Sequence, residues 1–273
     1  MISEILHALN FPDIQGMPYK PHPSYVGGGN RCLRAMVYWR LGIERKFADR
    51  EQSLKNEHAV LKELTFQVIR EKTAYNLSFT NETFVCGRIE FNGKGYPLES
   101  NIDGVLTDVL ENKYLLQVEL VTQKCFEDLL QGTICPVEKL IKCCLLMKGT
   151  GLTQCVLLFK NKNTSAYLEY QLVYDASGDM LDIVSTASSS GVMPSLLQNH
   201  FPGLYRAGIE WFCKVEECAK TKQIPPGAYE PGSWQCSYCS FRNLCHQPHT
   251  HPEQNQNPVD WVSLVKPPIW SET

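Results

Sequence analysis

The chain has 273 residues, of which 43% are hydrophobic and 20% charged, and a formal net charge of −3. This is the composition of a folded globular protein of one large domain or two small ones, and it excludes a disordered or fibrous chain. Near-neutrality excludes a global cationic field, so any nucleic-acid surface has to be a local basic patch; no run approaches the roughly 18 consecutive apolar residues of a membrane helix.

The first thirty residues carry Pro12, Pro18, Pro21, Pro23 and the run Gly27-Gly28-Gly29, which predicts an irregular arm. No Lys-Ser or Lys-Thr follows the glycines, so they read as a turn and not as a phosphate loop. Met1 to Gly16 has no basic start followed by an apolar core. Export to an oxidising compartment is therefore not expected; the expected setting is the cytoplasm, or a host cell for a viral protein.

Helical spacing predicts a helix from about Cys32 to Leu41, stopped at Gly42, and a second from about Gln52 to Lys72, with Val60, Leu61, Leu64, Val68 and Ile69 in register and His58 near its start. The period then switches to that of strands over Thr83 to Phe91, Tyr96 to Thr107 and Tyr114 to Thr122, and Asn92-Gly93 marks a hairpin between the first two. A helix is predicted from about Pro136 to Lys148. Strands follow over Thr153 to Lys160 and Ala166 to Tyr174, joined by the polar turn Asn161-Lys162-Asn163-Thr164, and a long amphipathic helix runs from about Gly203 to Lys222. This order predicts an α/β sheet flanked by helices, as one domain over residues 1–246. The tail, residues 247–273, is rich in Pro, His, Gln and Asn and reads as an extended arm or a contact for a protein partner.

Three of the twelve cysteines, Cys236, Cys239 and Cys245, form C-x2-C-x5-C, with turn residues Pro231, Gly232 and Tyr238 around them. Three thiolates leave a four-coordinate soft-metal site one ligand short. Cys32, at the start of the first helix in Gly29-Asn30-Arg31-Cys32-Leu33-Arg34-Ala35, is the candidate for the fourth, and a metal there would staple the two ends of the chain together. The remaining eight show no ligand spacing and read as core thiols. His246, His249 and His251 beside the triplet keep a zinc-binding module open as a third reading.

Asp103 lies late in one predicted strand, in Ile102-Asp103-Gly104-Val105, and Glu119 on the next, in Gln117-Val118-Glu119-Leu120-Val121. Adjacent strands bring two such carboxylates within reach of one hard cation, magnesium or manganese, and His58 would complete the set from the preceding helix. Taken singly, each is an ordinary helical histidine or strand carboxylate.

The combination of Cys32 before a helix, His58, Asp103, Glu119 and a C-terminal C-x2-C-x5-C resembles the RecB-like branch of the PD-(D/E)XK nucleases that carries an iron–sulfur cluster, which includes CRISPR-associated adaptation nucleases and AddB-type exonucleases. The resemblance covers residues from about 28 to 246 and is most specific at Arg31 to Ala35, Ile102 to Val105, and Ile224-Pro225-Pro226 leading into the cysteines. It implies a restriction-endonuclease-like central mixed sheet, DNA as partner, and a structural [4Fe-4S] cluster on Cys32, Cys236, Cys239 and Cys245. It also implies a catalytic metal site at His58, Asp103, Glu119 and the adjoining Leu120. Two features depart from the family. The Glu-x-Lys lysine is replaced by Val121, and the Gln-x3-Tyr pair is absent from Glu138 to Cys144. Lys139 or Lys142 from that helix, or Lys124 after the strand, are the candidate substitutes. A metal-dependent DNA nuclease and a non-catalytic relative serving as a DNA-binding or assembly scaffold therefore both stay open.

Overall fold

The computed structural model describes residues 21–26, 32–43, 49–91, 94–230, 232–237 and 239–245. The glycine run, the Asn92-Gly93 turn, Pro231, Tyr238, His246 and the tail with its histidines lie outside the described residues. Two helices come first, α1 (Leu33–Arg40) and α2 (Asp49–Lys72), followed by strands β1 (Asn76–Ser78), β2 (Thr83–Phe91), β3 (Lys94–Asn101), β4 (Gly104–Thr107) and β5 (Lys113–Val121). Helices α3 (Gln123–Gln131) and α4 (Val137–Thr150) lead to β6 (Gln154–Asn161), β7 (Tyr167–Asp175), β8 (Met180–Ser188) and β9 (His200–Pro202). The chain then forms α5 (Leu204–Thr221) and two single-turn helices, α6 (Trp234–Ser237) and α7 (Arg242–Cys245).

Seven strands make one mixed sheet in the order β1-β4-β5-β6-β7-β8-β9, while β2 and β3 form a separate hairpin. All neighbours in the large sheet are antiparallel except β5 and β6. A parallel pair needs a crossover connection, which α3 and α4 supply.

The single strand expected over Tyr96 to Thr107 is instead two, β3 and β4, in different sheets. The break is built by backbone bonds from Ile102 N to Glu82 O and from Asn81 N to Ile102 O, which turn the chain out of the hairpin. Gly104 then enters the large sheet where a Cβ would stand 2.5 Å from Leu77 Cδ1. Asp103 sits at this switch between sheets. The short strands β1 and β9, the strand β8 and the helix α3 are additional to the elements expected from the sequence. Thr122 caps α3 by accepting from Cys125 N, and Gly132 at φ 69° ends it.

Period-two alternation on β5 sorts its side chains onto two layers. Leu116 and Val118 join Phe66 of α2 with Leu77, Leu106 and Val156 in one apolar layer. Leu115 faces the main core, centred on α4. That helix buries Val137, Leu140, Ile141, Lys142 and the run from Cys143 to Met147, so it is enclosed on nearly all sides. Two glycines permit this: a Cβ on Gly149 would lie 2.5 Å from both Cys86 Cα and Val85 O of β2, and one on Gly208 of α5 would lie 2.9 Å from Ile141 Cγ2. None of the described helices is long and apolar enough to cross a membrane.

Gly149→Ala is expected to destabilise the fold by about 1–3 kcal/mol, the range for overpacking, because backbone atoms and not a flexible side chain oppose the new methyl. Urea unfolding followed by tryptophan fluorescence measures it, and an unchanged midpoint would remove the close approach of α4 to β2.

Candidate active site and cysteine cluster

Because Glu119 alternates onto the α4 side of β5, it leaves water and needs cations. Lys139 and Lys142, one turn apart on α4, supply them: Lys139 Nζ lies 2.8 Å from Oε2 and Lys142 Nζ 3.0 Å from Oε1. Burial opposes ionisation of Glu119, but the ammonium groups of Lys139, Lys142 and Lys62 together overcome it and hold the carboxyl well below the usual carboxylate range. Burial likewise works against the Lys142 charge, and Glu119 and Asp103 reverse this, keeping its pKa above that of a free lysine. Lys142 therefore stands in the field of both carboxylates.

Asp103 is fixed from two directions. Lys62 Nζ lies 2.9 Å from each of its oxygens, and Val118 N donates to Oδ2 at 2.7 Å. The backbone bond comes from the residue before Glu119, so the end of the β3–β4 switch is tied to the middle of β5. His58 and Lys62 are four residues apart on α2 and share a face. His58 Nε2 lies 3.4 Å from Lys162 Nζ in the β6–β7 turn. Burial lowers the His58 pKa, with Lys162 and Lys62 acting in the same direction and Glu57 and Glu119 against it.

One polar seam thus gathers His58, Asp103, Glu119, Lys139 and Lys142 of the residues singled out in the sequence, and adds Lys62 and Lys162. Leu120 is half-buried in β5, opposite Lys160 in the parallel register. Lys124 stands apart: it is exposed on α3 and pairs with Asp128 at 2.6 Å, four residues on in the same helix. The spacing from His58 to Lys62 is a local signal that marks Lys62. Nothing local marks Lys162, because its neighbourhood is assembled from α2, β5 and β6.

The two carboxylates are hard oxygen donors that suit magnesium or manganese, and the imidazole adds a borderline nitrogen. All four carboxylate oxygens already accept from ammonium groups. Among the described residues, no three His, Cys, Asp or Glu side chains are placed to share one metal ion. The donor chemistry fits a cation, and in the present arrangement the lysines close it. Lys62 and Lys139, each with 27% of the side chain exposed, have room to swing aside, whereas Lys142 is enclosed at 10%.

At the other end of the core, the C-terminal segment docks on α1. Phe241 is buried against Tyr38, with ring centroids 5.7 Å apart. Arg34 donates from Nε to Pro225 O at 2.6 Å and from Nη1 to Cys245 Sγ at 3.4 Å. Cys32 precedes α1 and receives backbone hydrogen bonds from Ala228 and Ala35, while Cys239 receives one from Phe241. Cys32, Cys239 and Cys245 lie within one another's electrostatic reach, and Cys236 within that of Cys239. Burial raises the Cys32 pKa and pushes that of Cys239 up to about 11. Four soft ligands, three of them with N–H donors aimed at their sulfurs, suit an iron–sulfur cluster, which binds each thiolate to a separate iron and so asks for wider spacing than a single ion.

No protein-family model matches the chain, and no curated protein matches its sequence. Among solved structures, the crystal structure of SSO0001 is similar at a TM-score of 0.49 and 12% identity, covering 90% of this chain and 96% of that one. LHK-Exo in complex with dAMP is similar at a TM-score of 0.43 and 11% identity, covering 75% and 91%.

His22 ties the N-terminal segment to β3: its Nε2 lies 3.2 Å from Ser100 Oγ, and its Nδ1 accepts from Ser24 N. Burial, with Lys142 adding to it, pushes its pKa down to about 4. The unfolded chain takes up this proton first as pH falls, so stability is lost between about pH 6.5 and 4, by up to about 3 kcal/mol from this group. Unfolding free energies measured from pH 7 to pH 4.5 are expected to fall less steeply for His22→Gln than for wild type. Parallel curves would remove His22 as a source of acid sensitivity.

Proposed function

We propose that this chain is a divalent-metal-dependent DNA nuclease of the RecB-like type, with a [4Fe-4S] cluster on Cys32, Cys236, Cys239 and Cys245 that joins its two ends. The observation that carries the reading is the polar seam in which Lys62 pairs with Asp103, Lys139 and Lys142 pair with Glu119, and His58 lies one turn before Lys62 on α2. In this reading His58, Asp103 and Glu119 hold magnesium or manganese, with the Leu120 position beside them, once Lys62 and Lys139 have moved aside. The bound ion would supply Lewis-acid stabilisation of the phosphate and an activated water. Lys142 keeps Glu119 ionised. The active form acts on single-stranded or end-bearing DNA.

With manganese or magnesium, wild type is expected to degrade such DNA. Asp103→Ala and Glu119→Ala should abolish both cleavage and manganese binding while leaving iron content intact, and His58→Ala should weaken both. Lys62→Ala and Lys139→Ala free carboxylate oxygens and are expected to tighten manganese binding several-fold in calorimetry, about 1 kcal/mol, the scale of a partly exposed ion pair. Unchanged manganese affinity in the two carboxylate variants would make these side chains structural and end the nuclease reading.

A second reading has its own support: the ammonium groups on all four carboxylate oxygens describe equally well a nuclease fold that has lost catalysis and serves as a DNA-binding or assembly scaffold. Val121→Lys restores the family's missing lysine and separates the two. Inert wild type with an active Val121→Lys variant supports the scaffold, and active wild type rejects it.

For the cluster, protein purified anaerobically is expected to be brown and to carry about four irons per chain. Cys32→Ala should bleach it and lower the melting temperature, since binding energy at such a site is folding energy. Stoichiometric zinc in iron-replete anaerobic preparations would replace the cluster by a zinc site.

A further inference from the structure

We propose that Lys162 is a contact for a backbone phosphate of the bound nucleic acid. The proposal rests on the nucleic-acid reading above but not on cleavage. Its first support is position. Val121 and Asn161 are partners in the parallel β5–β6 register, and Lys162 N donates to Val121 O at 3.0 Å. Lys162 thus stands beside Val121, just past the end of the neighbouring strand. That place is at the carboxyl ends of the parallel pair, where open α/β sheets bind ligands.

The second support is the rigidity of the turn that presents it. Asn161, buried to 1% exposure, accepts from Asn163 N at 2.9 Å and from Thr164 N at 3.4 Å, and its Nδ2 donates to Gln123 Oε1 at 2.6 Å. Gln123 N in turn donates to Asn163 Oδ1 at 3.2 Å, and Ser165 N closes the turn on Asn161 O. The tip between two strands is therefore pinned to the start of α3.

The third support is charge. In the seam, Lys62 is committed to Asp103, and Lys139 and Lys142 to Glu119. Lys162 makes no ion pair among the described residues and contacts His58, which brings no negative charge in any protonation state. A half-buried ammonium without a counter-charge, held by an ordered turn beside a candidate ligand of the reacting site, is the group free to take a phosphate as a point charge.

The test is fluorescence anisotropy of a labelled single-stranded oligonucleotide without divalent metal, over a range of salt concentrations, paired with a manganese cleavage assay. Lys162→Ala is expected to weaken binding about tenfold, and to lower the slope of log K against log salt by about 0.7, the loss of one phosphate contact on a single strand. Lys162→Arg should keep the slope, and Lys124→Ala, on the exposed face of α3, should match wild type in every measurement. A Lys162→Ala variant with the wild-type slope and affinity overturns the proposal, whatever its melting temperature. Wild type that binds no oligonucleotide overturns it together with the nucleic-acid reading. Wild type that binds, loses slope on Lys162→Ala and cuts nothing leaves the proposal standing and ends the nuclease reading alone.

Discussion

A carboxylate taken out of water at Glu119 is tolerated only with cations at its oxygens, and the architecture around it follows from meeting that demand. The lysines come from α4, so α4 must lie against β5 at one rotation and one height, with Lys139 and Lys142 towards the strand and its apolar side chains towards the hairpin and α5. Removing one partner of such a buried pair typically costs several kcal/mol, because a charge is left unpaired. The pair thus specifies how the helix sits as well as stabilising it. The glycine at 149 follows from the same placement, since a helix enclosed on nearly all sides must approach one neighbour through its backbone.

The same seam couples fold to candidate chemistry. Asp103 ends up beside Glu119 because the chain leaves one sheet and enters another at that residue, and Val118 N anchors its carboxylate to β5. Lysines that satisfy the carboxylates also compete with any cation for them. Lys62 and Lys139 are the more exposed of these partners, and Lys142 is the enclosed one. The docking of the C-terminal segment through Phe241, Arg34 and the cysteine neighbourhood lies at a separate place, so loss of one site need not carry the other with it.

Local pattern alone revealed much of this. Helical spacing located α1, α2, α4 and α5 to within a few residues, and alternation located β2, β5, β6 and β7, because each of these elements buries one face or stripe of apolar side chains with the period of its backbone. The short edge strands β1 and β9 were not legible, since three residues carry too little period to register. The extended run from Tyr96 to Thr107 read as one strand because both of its halves are strands; the switch between sheets depends on backbone bonds to residues 81 and 82, which no local signal carries.

For the candidate site, the residue types and their order along the chain named His58, Asp103, Glu119 and four cysteines, and the absence of lysine at position 121 was plain. Which lysines reach the carboxylates was a matter of tertiary structure. Lys124 is nearest to Glu119 in sequence and turns away to Asp128, since the first turn of α3 points it to solvent. Lys139 and Lys142 return through the crossover, Lys62 arrives from a helix packed on the opposite face, and Lys162 from the end of a strand that neighbours β5 in space but starts 41 residues after it, at Gln154 against Lys113, with two helices between them. The sequence by itself determined the types of the longer elements and the donor side chains on offer, because these depend on short-range period and residue identity. Only the tertiary structure decided which charges meet, because a pair such as Lys62 and Asp103 is brought together by the packing of a helix on a sheet, and that distance is written nowhere in the local pattern.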